Sequence, residues 1–281
     1  RVRRTEHGFV LEQLPHDEAP AAEGAFRVEL EADETAVNPA WFRGGWFDSL
    51  TMLWSDIESG ALIDREPHPD DAPSPGGSVS ARVVLAPGER RTITLTASWY
   101  VPHSHIRHSH GGAASDGQAC CCDGSSECGC YEPWYSGRFS DVDAVAEYWK
   151  EEYARLREES FLFSRTLFDS TLPAEVLEAV SANLSILKSP TVLRQTDGRM
   201  WNYEGSCDTR GCCFGSCTHV WNYAQAVPHL FPGLERSLRE TEFLVSQDDR
   251  GHQVFRTPLP IRPAESHSMH AAADGQLGGV V

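Results

Sequence analysis

The chain has 281 residues and a formal net charge of -17 at pH 7, with 41 acidic against 24 basic side chains. This excess argues against nucleic acid or an anionic lipid surface as a general partner, because binding either requires a basic face. No apolar run approaches the roughly 18 to 20 residues that cross a bilayer, and the sequence does not open with a charged n-region followed by an apolar h-region. The length predicts two domains, residues 1–140 and 141–281.

Residues 1–140 carry the signals of strands and turns. Apolar and polar residues alternate from Phe26 to Leu30, as on a strand with one buried face. A second alternation runs from Val79 to Leu85 and resumes from Ile93 to Trp99 after a Pro-Gly-Glu turn, which predicts a half-buried hairpin. Between these strands, Trp46 to Trp54 predicts a short helix. The whole region predicts an antiparallel β-sandwich.

An insertion near residues 103–131 is rich in histidine and cysteine and holds too few large apolar groups to build a core. We expect it to be mobile or held by a metal. The nine cysteines fall in two tight groups, whereas the cysteines of a secreted disulfide framework are spread along the chain. This grouping favours a cytoplasmic protein with reduced thiols or bound metal. The first group is Cys120, Cys121, Cys122, Cys128 and Cys130, and the second is Cys207, Cys212, Cys213 and Cys217.

From residue 141 the apolar period becomes helical. Asp141 is placed to cap a helix of about 18 residues, and Pro173 marks the start of a second helix. A third helix is predicted from Val220 to Phe231 and a fourth follows it. A fifth begins after Pro263 and is cut off at the end of the chain, so we expect the sequence to be a fragment.

The stretch from residue 201 to 223 concentrates the chemistry. Glu204 ends an extended segment among aromatics, where a carboxylate can be partly desolvated and still reach an anomeric carbon. The alternative is a surface acid or an ion-pair partner of Arg210. His219, Trp221 and Tyr223 could contact a sugar through a polar group and ring faces, or could be a capping histidine and core aromatics.

The second group of cysteines admits two interpretations. Cys207, Cys212, Cys213 and Cys217 could supply a tetrahedral zinc site, since thiolates are the preferred ligands of structural zinc. Their intervals differ from the usual C-x2-C pairs, however, and buried thiols or a local disulfide are the alternative.

Several stretches, in this order along the chain, resemble glycoside hydrolase family 116, which includes non-lysosomal glucosylceramidases and microbial beta-glucosidases. They are Gly44–Trp54 with Gly60, Ala97–Pro102, Tyr135 with Arg138–Phe139, Asn183–Ser185 to Ser189–Thr191, Asp197–Gly198 to Glu204–Gly205, Val220–Ala224, and Leu230–Pro232 with Leu234–Glu235. The resemblance implies an N-terminal β-sandwich followed by the first helices of an (α/α)6 toroid.

The resemblance also implies retaining hydrolysis of β-glycosides with Glu204 as the nucleophile and no required cofactor. The carboxylate attacks the anomeric carbon, while a second carboxyl group about 5 Å away protonates the leaving group. The family's acid/base aspartate lies downstream of Val281, so we expect this fragment to be inactive. Within the chain, Asp208 and Asp249 are weak substitutes.

Two departures from the family pattern affect the predicted substrate. His219 stands where the better-known branch has an aspartate that contacts the sugar, so β-xylosides and other β-glycosides stay open beside glucosides and glycolipids. The Cys/His insertion has no assigned counterpart. Two alternatives therefore remain, a non-catalytic carbohydrate-binding protein and a zinc-binding interaction module.

Overall fold

A computed structural model describes residues 1–16, 22–69, 73–104, 106, 108, 132–206, 211–221, 224–263 and 269–281. The chain divides into two compact units. The first comprises Arg1–Pro102 with Phe139–Tyr153, and the second comprises His103–Arg138 with Ala154–Val281. The predicted domain boundary at residue 140 stays a prediction.

The described residues of the first unit form two antiparallel sheets. Its strands are β1 (Val2–Arg4), β2 (Gly8–Gln13), β3 (Gly24–Glu31), β4 (Thr35–Asn38), β5 (Ser78–Ala81) and β6 (Thr94–Tyr100). One sheet has the order β1-β2-β3-β6, and the other pairs β4 with β5. Helix α1 (Ser49–Glu58) confirms the predicted short helix, and the carboxylate of Asp48 caps it by accepting from the Thr51 backbone N–H at 2.8 Å.

The predicted hairpin between residues 79–85 and 93–99 is wrong. β5 ends at Ala81 and pairs with β4, whereas β6 pairs with β3. The apolar and polar residues of β3 also alternate, and β6 forms its hydrogen-bonded ladder with β3 instead of with β5, the strand that precedes it in the sequence. Burial on β6 is also the reverse of the prediction, with Trp99 67% exposed and Ser98 and Tyr100 buried. The Tyr100 hydroxyl donates to the Phe139 carbonyl oxygen at 2.9 Å, which holds the polar face of β6 inward.

Helix α2 (Val142–Phe168) begins in the first unit and has 27 residues, longer than predicted. Asp141 caps it as predicted, since the Ala144 backbone N–H donates to Oδ1 of Asp141 at 2.8 Å and thereby lowers the pKa of Asp141. Arg3 and Arg27 each donate to Asp143 at 2.6 Å, so two ion pairs tie the first turn of the helix to β1 and β3.

The second unit combines helices with a three-stranded antiparallel sheet of order β7-β8-β9. Its elements are α3 (Ala174–Ser185), a 3₁₀ turn (Ile186–Lys188), β7 (Val192–Arg194), β8 (Met200–Ser206), β9 (Gly211–Phe214), α4 (Thr218–Trp221), α5 (Ala226–Leu230), α6 (Pro232–Leu244) and α7 (Ala273–Val280). α3 starts directly after Pro173, as predicted. Two buried clusters flank β8, one built on Trp201, Tyr203, Leu259 and Ile261 and the other on Met200, Trp221 and Leu238.

The single third helix predicted from Val220 to Phe231 is wrong. The structure has two short helices there, α4 and α5. Pro228 explains the break, because a proline inside a continuous helix lacks the N–H donor and clashes with the carbonyl four residues before it. In α5 it lies in the first turn, where the missing donor costs nothing.

The predicted combination of antiparallel sheet and helix is confirmed by these elements. The β-sandwich and the (α/α)6 toroid stay predictions. In the parts of the chain that the structure describes, no helix has both the length and the apolar character needed to cross a membrane.

Helix α6 buries a carboxyl group. Glu242 is 2% exposed, and its Oε2 accepts from Arg239 Nη1 at 2.6 Å. Arg239 also donates from Nε to Glu235 Oε1 at 2.6 Å, so its charge is shared between two carboxyl groups. Burial raises the pKa of Glu242 to about 7, against the attraction of Arg239, which lowers it.

We expect Glu242→Gln to remove a pH-dependent part of the stability. Well below pH 4.5 Glu242 is protonated in both the folded and the unfolded chain. As the pH rises towards 7 it ionises first in the unfolded chain, which stabilises that state, so the contribution of Glu242 to the unfolding free energy is lost in that window. The loss should be about 3 kcal/mol in the wild type. Urea unfolding at pH 4.5 and pH 7.5 measures it. Glu240→Gln, on an exposed position of α6, is the control and should behave like the wild type; an equal pH dependence in Glu242→Gln would contradict the assignment.

Candidate functional site

Glu204 lies near the end of β8, in the second unit, where the strand leaves the core. Trp201, Asn202 and Tyr203 before it are buried, whereas the Glu204 side chain is partly exposed. Its Oε1 accepts from Arg256 Nη2 at 2.6 Å. Arg256 also donates from Nη1 to the Phe214 carbonyl oxygen at 2.7 Å. The guanidinium therefore joins the carboxylate of β8 to the end of β9.

The backbone around Arg256 is fixed by the turn after β9. Thr257 N–H donates to the Gly215 carbonyl oxygen at 2.7 Å, and Thr218 N–H donates to the Phe255 carbonyl oxygen at 3.0 Å. Gly215 has a φ of +103°, and a Cβ there would lie 2.8 Å from the Cβ of Arg256. Only glycine allows both this conformation and this close approach, so the turn sets the position of the guanidinium.

Cys217 is the third residue at this carboxylate. Its side chain is fully buried beside Glu204. Burial raises the pKa of the Cys217 thiol, and the interaction with Glu204 raises it further. The sulfur is therefore a neutral thiol near neutral pH. Glu204 thus has one cationic and one neutral partner.

His108 packs against aromatic rings of β8, the strand that carries Glu204, and of β9. The His108 ring stacks on Phe214 at a centroid distance of 5.0 Å and on Trp201 at 5.6 Å, and its Nε2 is hydrogen-bonded to the Tyr203 hydroxyl. Burial lowers the pKa of His108, which keeps the ring neutral near neutral pH. His108 belongs to the Cys/His insertion, so at least this histidine packs among aromatics.

The other predicted sugar contacts lie in different surroundings. His219 is about half exposed on α4, and its Nδ1 is 2.5 Å from Asp274 Oδ2 on α7, a hydrogen bond that lowers the pKa of Asp274. Trp221 is 4% exposed and packs against Met200 and Leu238. Within the described part of the chain, no hydrogen bond or ion pair joins Glu204 to either residue.

Several predicted site residues lie outside the described residues. They are Tyr223, Cys207, Asp208 and Arg210. Of the remaining carboxylates, Asp249 is exposed in the turn after α6. The predicted alternative, an ion pair of Glu204 with Arg210, stays a prediction because Arg210 is not described. Glu204 pairs with Arg256, for which the sequence contains no local signal because the two residues are 52 positions apart.

The three described cysteines of the predicted zinc set do not converge. Cys212 and Cys213 are adjacent on β9 with their sulfurs 3.5 Å apart, whereas Cys217 faces Glu204. Among the residues that the structure describes, no three histidine, cysteine, aspartate or glutamate side chains are grouped as metal ligands. The four-cysteine site stays a prediction, since Cys207 is not described.

Comparison with known proteins identifies the family. The model of the family described as beta-glucosidase 2, glycosyl-hydrolase family 116 N-term, matches residues 2–156, more than half of the chain. This range covers the sheets of the first unit and ends before Glu204. No curated protein matches the chain. The antiparallel first unit and the family match together place the chain in glycoside hydrolase family 116, through the N-terminal domain of that family.

Proposed function

We propose that this protein is a retaining β-glycosidase that acts on β-linked glucosides or related β-glycosides, with Glu204 as its nucleophile. The observation that carries the proposal is the setting of Glu204, a partly buried carboxylate that is held by Arg256 and lies beside the buried Cys217. A nucleophile in this mechanism must be fixed in orientation and must stay near the surface to meet the substrate. Glu204 meets both requirements.

Each contact of Glu204 has a part in the reaction. In the first step a carboxylate oxygen attacks the anomeric carbon, the bond to the leaving group breaks, and a glycosyl-enzyme forms; in the second, water displaces the carboxylate. Arg256 holds Oε1 by a charge-assisted hydrogen bond and fixes the rotation of the carboxyl group. The neutral Cys217 thiol lies beside the carboxylate without adding a charge.

Two residues, His219 and Tyr223, extend the proposal to the sugar, and Trp221 supports the helix that carries His219. His219 is the proposed contact to a sugar hydroxyl, because its ring is oriented by Asp274 and stays half exposed. Trp221 supports α4 from the core side, where it packs on Met200 and Leu238. Tyr223 remains a proposed ring contact.

A burst experiment tests the proposal. Dinitrophenolate is a good leaving group, so formation of the glycosyl-enzyme from a dinitrophenyl β-glucoside does not depend on a proton donor and is compatible with the predicted lack of activity on ordinary glycosides. We expect a burst of dinitrophenolate of about one equivalent per chain with the β-glucoside and no burst with the α-glucoside. Saturable sugar binding without any release would instead favour the non-catalytic carbohydrate-binding protein.

A further inference from the structure

Two adjacent thiols on β9 stand apart from the chemistry proposed for Glu204. The sulfurs of Cys212 and Cys213 are 3.5 Å apart, and the structure has both as thiols. Cys213 is exposed, so a small reagent can reach it from solvent. Its φ of +51° lies in the left-handed region, which residues other than glycine adopt rarely. This backbone bend sets the two neighbouring side chains towards each other instead of on opposite faces of the strand.

Neighbouring cysteines form a particular kind of disulfide. Consecutive Cα atoms are about 3.8 Å apart, below the roughly 4.4 to 6.8 Å that most disulfides span. A disulfide between them is therefore strained and readily reduced, which is a property of labile and regulatory bonds and not of structural ones. Since the sulfurs are already 3.5 Å apart, closure requires only a small approach to bonding distance.

From this geometry we infer that Cys212 and Cys213 are a reversible oxidation site that closes to a vicinal disulfide by exchange with a low-molecular-weight disulfide such as oxidised glutathione. One protein thiolate attacks a sulfur of the reagent and expels one thiolate; the second protein thiolate then attacks the mixed disulfide and expels the other, and each expelled thiolate takes up a proton released by a protein thiol. The two protein thiols lose two protons and two electrons, and the reagent becomes two thiols.

Cys217 does not compete for this reaction. It is fully buried and its thiol is engaged with the Glu204 carboxylate. Burial also raises its pKa, so it forms little of the thiolate that performs exchange. The reactive pair is thus distinct from the thiol that contacts the proposed nucleophile.

Closure would act on β9, the strand that pairs with the strand carrying Glu204. Cys212 pairs across the ladder with Gly205, the residue after Glu204, and Phe214 follows Cys213 and accepts the hydrogen bond from Arg256. A ring at residues 212–213 changes the backbone between these two contacts. The formation of the bond itself does not depend on the proposed glycosidase function and is tested separately from it.

The test uses the full chain with Cys217→Ser. Trypsin then releases residues 211–236 with Cys212 and Cys213 as its only cysteines, and residues 200–210 with Cys207. After oxidised glutathione and trapping with iodoacetamide, we expect the peptide 211–236 to carry no alkyl group and to be lighter than its reduced form by two hydrogen atoms. Dithiothreitol should restore two alkylation sites.

Two results would overturn the inference. One is full alkylation of both cysteines after oxidation, and the other is a cross-link between peptide 211–236 and the peptide that contains Cys207. The unsubstituted chain provides a check that needs no variant: when iodoacetamide is added with denaturant, which exposes Cys217, its oxidised peptide should carry a single alkyl group, located by fragmentation at Cys217. Cys213→Ser should abolish closure.

Discussion

Glu204→Gln should abolish the burst of dinitrophenolate and lower its rate of release by at least about 10⁴-fold. The amide keeps the size of the side chain but is too weak a nucleophile to form the glycosyl-enzyme. Stopped-flow absorbance of dinitrophenolate measures the effect.

Glu235→Gln is the matched control for this variant. Like Glu204, Glu235 is a partly buried glutamate of the second unit whose Oε1 accepts from an arginine at 2.6 Å. If the loss came only from breaking a glutamate–arginine pair, both variants should lose activity to a similar degree. Equal activities of the wild type and Glu204→Gln would remove Glu204 from the mechanism.

Trp201→Ala should lower the unfolding free energy by about 3 to 5 kcal/mol. Trp201 is completely buried in the cluster with Tyr203, Leu259 and Ile261, and its Nε1 donates to the Thr257 carbonyl oxygen at 3.0 Å. Alanine leaves a cavity and removes the hydrogen-bond partner of a buried carbonyl group.

Urea unfolding measures this loss, with Trp99→Ala as the control. Trp99 is 67% exposed, so its truncation removes little buried surface and should cost less than about 1 kcal/mol. Trp201→Phe should recover part of the stability because it refills most of the volume but cannot donate to Thr257. A loss from Trp201→Ala no larger than that from Trp99→Ala would contradict the described core.

Local signals predicted local structure well. The Asp141 cap, the helix start after Pro173 and the short helix α1 depend on a few neighbouring residues, and each is confirmed. The predicted hairpin failed because β6 pairs with β3, a partner distant in sequence that alternation alone does not identify. The prediction of a single third helix was wrong because it followed the apolar stripe and gave too little weight to Pro228.

The candidate site shows the same limit. Glu204 was identified from its aromatic surroundings and a family resemblance, whereas its partner Arg256 is supplied by a segment 52 residues away. His108 was assigned to a metal-binding or mobile stretch because its neighbours are histidines and cysteines. Its packing on Trp201 and Phe214 follows from pairing of its backbone with Leu259, which no local pattern signals.

The most direct test of the central claim is to trap the glycosyl-enzyme and find the labelled residue. A dinitrophenyl β-glucoside with fluorine at the second sugar carbon slows both steps, but its leaving group still lets the covalent intermediate form. Trypsin releases residues 200–210, in which Glu204 and Asp208 are the only carboxylate side chains, and fragmentation distinguishes them. We predict the fluoroglucosyl group on Glu204; its location on Asp208 or any other residue, or no labelling at all, would contradict the proposed nucleophile.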